Sequence, residues 1–254
     1  MNASRAAAFL LAAVLLPAGL SGPAGAATLD LPRDAGAPSG GTATVSVGVD
    51  DASGMLGTDL VITYDPEVAT ATGVTVAGLS AEQTLVTNLS VPGVIRIALY
   101  GIAPLSGTGA LIDLSFTSTG APGAETVLHF AWADLNEGAI PATLIDGNYC
   151  VQDRTGEVTD LVVTHAPAPG AALLAWDPDP LAADYNVYRG SRGDLGDLGC
   201  FLPGVAGTAT EDDGAVPPAG GLLVYLVTAT SCRGESSLGW RSSGAERSAT
   251  APCP

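Results

Sequence analysis

The chain has 254 residues with nine Arg and no Lys against 26 Asp and Glu, so its net charge is −17. An acidic surface of this strength repels phosphate backbones and anionic bilayers, which argues against a nucleic-acid or membrane-surface partner. The absence of lysine excludes Schiff-base chemistry and the phosphate-loop lysine.

Met1–Ala27 carries Arg5, an apolar run Ala6–Leu16 and the small-residue exit Ala24-Gly25-Ala26-Ala27. That layout predicts a signal peptide over residues 1–27, removed on export. The apolar run is short for a membrane span and no later segment supplies one. The mature chain is therefore expected without a span, secreted to the periplasm or the cell exterior.

From Gly40 to Val151 short alternating segments follow one another. Residues 42–50 put Val45, Val47 and Val49 on one face; residues 58–64 do so with Leu60, Ile62 and Tyr64. Residues 94–100 align Ile95, Ile97 and Leu99, and 109–118 align Ala110, Ile112, Leu114 and Phe116. Further strands are expected near 29–31, 73–77, 84–89, 126–132 and 145–151. Breakers stand at Asp65-Pro66, Pro92-Gly93, Pro104, Ala121-Pro122-Gly123 and Asp146-Gly147. Period-two burial gives each sheet one face to hide, which predicts an all-β sandwich over 28–151. A polar joint at 152–157 leads to a second β module over 158–254, marked by Leu173–Asp177, Tyr185–Gly190 and Leu222–Ala229.

The ordered set Gly41–Val47, Leu60–Pro66 with Val68 after it, Gly93–Ala98, Gly107–Phe116 and the closing Asp146-Gly147 resembles the cohesin domains. That resemblance implies a nine-stranded jelly-roll sandwich that binds and does not catalyse. The implied partner is a dockerin-type module, a small helical domain loaded with calcium and often attached to polysaccharide-degrading enzymes. No cofactor is implied for the chain itself, and a monomer is expected.

In cohesins the strands matching 58–64 and 94–100 belong to the sheet that meets the partner. With the apolar set inward, alternation points Asp59, Val61 and Thr63 outward on one strand and Arg96, Ala98 and Tyr100 outward on the other. The expected patch has Val61, Ala98 and Tyr100 at its centre and Asp59, Arg96 and Asn88 at its rim. Gly57 departs from the family pattern, since many known cohesins carry a polar residue there, so partner specificity does not carry over.

The second module resembles a fibronectin type III domain, with Trp176 on strand B, Tyr185 and Tyr188 on strand C and Tyr225 on strand F. In that family the domain start and the F–G loop share one pole, and the C–C′ turn and chain end share the other. The resemblance therefore implies disulfides Cys150–Cys232 and Cys200–Cys253, and an exported chain favours disulfides over a thiolate metal site.

Catalytic patterns are missing from the sequence. His129 and His165 lie in strand segments without metal-ligand spacing. The acidic groups Asp177-Pro178-Asp179, Asp194 with Asp197, and Glu211-Asp212-Asp213 lack the twelve-residue calcium loop and read as solvated turns. The alternative function is a carbohydrate-binding or cell-surface adhesion protein with a polysaccharide ligand. Sugar platforms need exposed aromatics, and only Trp132 and Trp240 are candidates beside the core Trp176. Protein binding is the leading reading.

Overall fold

The structure is a computed structural model that describes residues 25–167, 170–191, 193, 195–217 and 219–254. The expected signal peptide falls almost wholly outside the described residues, as does Asp194 of the acidic groups.

Alternation of Val, Ile and Leu with small or polar residues leaves each segment one face to bury. The segments are β1 (Ala27–Asp30), β2 (Ala35–Gly36), β3 (Thr42–Val49), β4 (Gly57–Thr63), β5 (Ala69–Val76), β6 (Thr84–Asn88), β7 (Val94–Tyr100), β8 (Gly109–Ser118), β9 (Glu125–Leu135), β10 (Ala142–Ile145) and β11 (Gly147–Cys150). A five-stranded sheet, β10-β1-β3-β8-β5, faces a six-stranded sheet, β2-β11-β9-β4-β7-β6. Between them Val45, Val47, Leu60, Ile62, Ile95, Ile97, Leu114 and Phe116 form one continuous core. Burying each large side chain contributes roughly 1.5–3 kcal/mol relative to exposure. Tyr64 packs edge-on against Phe116 at 5.2 Å between ring centroids. Its hydroxyl accepts the Ala71 amide at 3.0 Å, which leaves it half-buried at the core margin.

Three departures from simple alternation matter. At the first, Val47 pairs with Ile112 but Gly48 pairs with Ala110, so Leu111 is a bulge. Leu111 and Ile112 are both buried, while Ala110, expected inward, is only half-buried. The second is a bulge in β9, taken up below. The third divides the single strand expected over 145–151 into β10 and β11, which lie in different sheets. β1 runs parallel to β10 and β2 parallel to β11, so the first and last chain paths cross together from one sheet to the other. Asp146 sits at the crossing: its Oδ1 accepts the Phe130 amide at 2.9 Å and its Oδ2 lies 2.7 Å from His129 Nδ1. The crossing is close enough to require glycine. A Cβ on Gly147 would lie 2.7 Å from the Leu31 Cβ, and one on Gly36, at φ 146°, would overlap the Cys150 carbonyl.

The C-terminal half holds β12 (Val162–His165), β13 (Ala172–Ala175), β14 (Asp184–Gly190), β15 (Gly199–Val205), β16 (Ala209–Glu211), β17 (Val224–Ser231) and β18 (Gly234–Glu235). A three-stranded sheet, β12-β13-β16, packs on a four-stranded sheet, β15-β14-β17-β18. Leu174, Trp176, Tyr185, Val187, Val227 and Ala229 form its core. Trp176 meets Tyr185 edge-on at 5.4 Å. Cys150 and Cys232 are at disulfide distance with Cα atoms 5.9 Å apart, and Cys200 and Cys253 likewise at 4.8 Å. Both separations suit an unforced bridge.

Candidate binding face

Register on the six-stranded sheet sets what its outer face presents. β6 pairs with β7, β7 with β4, and β4 with β9. One row across these strands reads Asn88, Arg96, Val61, Trp132; the next reads Val86, Ala98, Asp59, Asp134. A third holds Thr84, Tyr100 and Gly57. The structure thus brings Asp59, Val61, Asn88, Arg96, Ala98 and Tyr100 together. Thr63 lies on the same face one row beyond, between Val94 and His129.

Sequence reasoning missed Trp132, Asp134 and Val86 as members of this face. In β9, Leu128 and Phe130 point inward, and strict alternation would bury Trp132 as well. Val61 pairs with Trp132 but Ile62 pairs with Phe130, so Ala131 is a bulge. The extra residue turns Trp132 and Asp134 outward and returns Leu135 to the core. Bulges re-aim side chains in this way. Val86 could have been found from the inward Leu85 beside it.

The face has an apolar centre and a charged rim. Val86 is 54% exposed, Tyr100 52% and Trp132 49%. Two shallow depressions flank the Asp59–Ala98 pair. One, of about 440 Å³, runs over Leu56, Tyr100, Asp134, Asn136 and Glu137. The other, of about 240 Å³, lies among Val61, Val86, Arg96 and Trp132. Asn136 fixes the rim of the larger one: its Oδ1 accepts the amides of Leu56 at 2.7 Å and Gly57 at 3.0 Å, and its Nδ2 donates to the Gly54 carbonyl at 2.8 Å.

Electrostatically the face is unfinished. Asp134 stands directly across from Asp59, and like charges in that position repel. Asp134 Oδ1 is buried without a hydrogen-bond partner. The ion pairs among described residues join His129 to Asp146, Arg154 to Asp34 and Arg189 to Asp213, so Arg96 forms none. An apolar centre with Trp, Tyr and Arg beside open polar groups has the anatomy of a protein interface.

Several of the other candidate groups are engaged within the fold. Burial alone would raise the Asp146 carboxyl, but the His129 ring and the Phe130 amide outweigh it and hold the group below its ordinary range. His165 lies on the exposed strand β12. Asp179 accepts the amides of Gly156 at 2.7 Å and Leu181 at 2.8 Å. Asp212 accepts the Tyr225 hydroxyl at 2.6 Å and the Ala172 amide at 2.8 Å. Among the described residues no group of His, Cys, Asp and Glu is placed to hold a metal ion, and no helix is long and apolar enough to cross a membrane.

Residues 27–147 match the family model of the cohesin domain. The matched span takes in every strand of the candidate face and stops just inside β11. Cohesin domains are non-catalytic binding modules, so this part of the chain is not an enzyme. Similar solved structures include a non-cellulosomal cohesin from the hyperthermophilic archaeon Archaeoglobus fulgidus, at 18% identity over 51% of this chain and 92% of that one, with a TM-score of 0.45. The sixth cohesin of scaffoldin B from Acetivibrio cellulolyticus, solved in complex with a dockerin, is 15% identical over 50% of this chain and 99% of its own, with a TM-score of 0.44. A cohesin module of a Clostridium perfringens family 33 glycoside hydrolase is 12% identical over 50% and 98%, with a TM-score of 0.42. A search of curated proteins found no match.

Proposed function

We propose that the protein is an exported, non-catalytic binding protein whose cohesin-like domain, residues 28–151, grips a dockerin-type or other protein partner on the β6–β7–β4–β9 face. The observation that carries this reading is the face itself: Val86, Tyr100 and Trp132 exposed around the half-buried Val61 and Ala98, with Asp59, Asn88 and Arg96 exposed at the rim. A partner that covers the apolar centre and brings a carboxylate to Arg96 would satisfy centre and rim together. The family match to residues 27–147 supports the same reading. Counted as chain paths, with β1–β2 and β10–β11 each one strand that changes sheet, the first sandwich reads as the nine-stranded jelly roll.

Residues 158–254 read as a fibronectin type III-like spacer joined through 152–157. Its support is the pairing of β12-β13-β16 against β15-β14-β17-β18, the arrangement of strands A-B-E against C′-C-F-G. The mature chain is taken to be a monomer, and the partner's calcium to belong to the partner.

Carbohydrate binding is the second reading, favoured by the half-exposed rings of Trp132 and Tyr100 on one face. The deciding experiment is a pull-down from the source organism's exported proteins with the mature chain as bait, with and without a calcium chelator. It is paired with affinity electrophoresis in soluble polysaccharide. Chelator-sensitive capture of a dockerin-bearing protein is expected, because a calcium-loaded module loses its fold with its metal. Retardation by polysaccharide with no protein captured overturns the protein-binding reading.

A further inference from the structure

We propose that the two sandwiches form one rigid body, locked at the β2 edge of the first, with Arg233 as the positioning residue. The lock is independent of what the candidate face binds.

β2 and β6 are the two edges of the six-stranded sheet. An open edge with free backbone groups invites pairing, and here the β2 edge is met by the turn between β17 and β18. Arg233, in that turn, donates from Nε to the Asp34 carbonyl at 2.8 Å and from a terminal nitrogen to the Gln152 carbonyl at 2.9 Å. Asp34 directly precedes β2 and Gln152 closely follows β11. One guanidinium therefore clasps both chain paths at that edge. The planar fork presents two separate, pre-aligned donors to the two acceptors; an ammonium group is a compact point charge without that fixed geometry.

The surrounding contacts reinforce it. Arg154 pairs with the Asp34 carboxylate and reaches the Arg233 carbonyl. Cys232, next to Arg233, is at disulfide distance from Cys150 at the end of β11. The connecting segment is itself held along its length: Gln152 Nε2 donates to the Leu181 carbonyl at 2.8 Å, and Thr155 is buried with its hydroxyl on the Ala229 carbonyl at 3.4 Å. A polar connection without such contacts would behave as a flexible tether. Because the lock sits on the β2 edge and the candidate face reaches the opposite β6 edge, the second sandwich leaves that face open. It also holds whatever the face binds at a fixed angle to the C-terminal sandwich.

The test is backbone 15N relaxation on the full mature chain, read separately for the two sandwiches. The wild type is expected to show, in both sandwiches, the single longer rotational correlation time of a body the size of the whole mature chain. Cys150→Ala with Cys232→Ala removes the covalent part, and Arg233→Ala added to that pair should shorten both values to roughly half the wild-type one, because each sandwich then tumbles with about half the mass. Arg233→Lys in the same background keeps the charge but not the fork and should shorten them as alanine does. Wild-type correlation times as short as those of single sandwiches overturn the proposal, a result that needs no variant to fold. Joint tumbling of the triple variant, with both sandwiches shown intact by their amide spectra, also overturns it.

Discussion

The outer face of the six-stranded sheet and the polar groups of the C-terminal sandwich treat the same chemistry in opposite ways. In the C-terminal sandwich the clustered charged groups are paired with one another or with hydroxyls and amides, although Trp176 Nε1 is buried there without a hydrogen-bond partner. Glu235 accepts from Asn186 Nδ2 at 2.9 Å, from the Tyr188 hydroxyl at 2.9 Å and from Thr228. Arg189 pairs with Asp213 and lies 4.0 Å over the Phe201 ring. On the six-stranded face Asp134 keeps a buried unpaired oxygen, Arg96 forms no ion pair among described residues, and Trp132 and Tyr100 remain half-exposed. Polar groups closed within the fold serve stability, whereas groups left open beside apolar surface are complete only with a second molecule.

Substitutions should separate these two roles. The largest effect is expected from Ala98→Arg, which places a bulky charge in the middle of the apolar rows. Partner capture should be lost, with the thermal midpoint unchanged because the side chain extends into solvent. Next is Trp132→Ala. An aromatic anchor at an interface centre is worth about 2 kcal/mol or more, so titration calorimetry should show binding roughly 30-fold weaker. Glu235→Ala works the other way: it strands the Tyr188, Asn186 and Thr228 donors and should lower stability by about 1–2 kcal/mol in denaturant unfolding, with binding unchanged. If Glu235→Ala weakened binding as much as Trp132→Ala, the division between the two regions would be wrong.

A smaller effect concerns pH. Burial, reinforced by Glu235, pushes the Tyr188 phenol from 10.0 up to about 12, and burial with Asp212 does the same for Tyr225. Both phenols are harder to ionise in the folded chain than in the unfolded one. Their contribution is complete below about pH 10 and falls away as the pH climbs through about 12. Unfolding midpoints of the C-terminal sandwich, followed with phenolate absorbance, should therefore drop over that range. A phenolate absorbance rise near pH 10 with the fold intact, and removed by Tyr188→Phe or Tyr225→Phe, would contradict it. At the acid end Asp146 acts in the opposite sense. Its folded value is held low, so its contribution is present above the ordinary carboxylate range and is lost as pH falls through the lowered value. His129→Ala should diminish that acid dependence, measured by the same midpoints.

The all-β character is legible in the chain because Val45, Val47, Leu60, Ile62, Ile95 and Ile97 obey strict alternation and are all buried. The same rule places Asp59, Arg96 and Tyr100 outward. It fails where the backbone gains a residue. Leu111 and Ala131 are bulges with nothing in their own chemistry to announce them, since a bulge is a property of two paired strands and not of one. Asp134 was hidden for that reason, and Trp132, expected only as an exposed aromatic, was not placed on the binding face. The crossing at Asp146 was equally hidden: residues 145–151 read as one strand, and only the parallel partner strands β1 and β2 reveal two.

Hydrogen-exchange footprinting of the mature chain with its captured partner bears most directly on the binding role of the six-stranded face. Protection gained at the amides of β6, β7 and β4 and at Trp132 and Asp134, with none gained on the five-stranded sheet or the C-terminal sandwich, is the expected result. Protection confined to those other surfaces would show that this face is not where the partner sits.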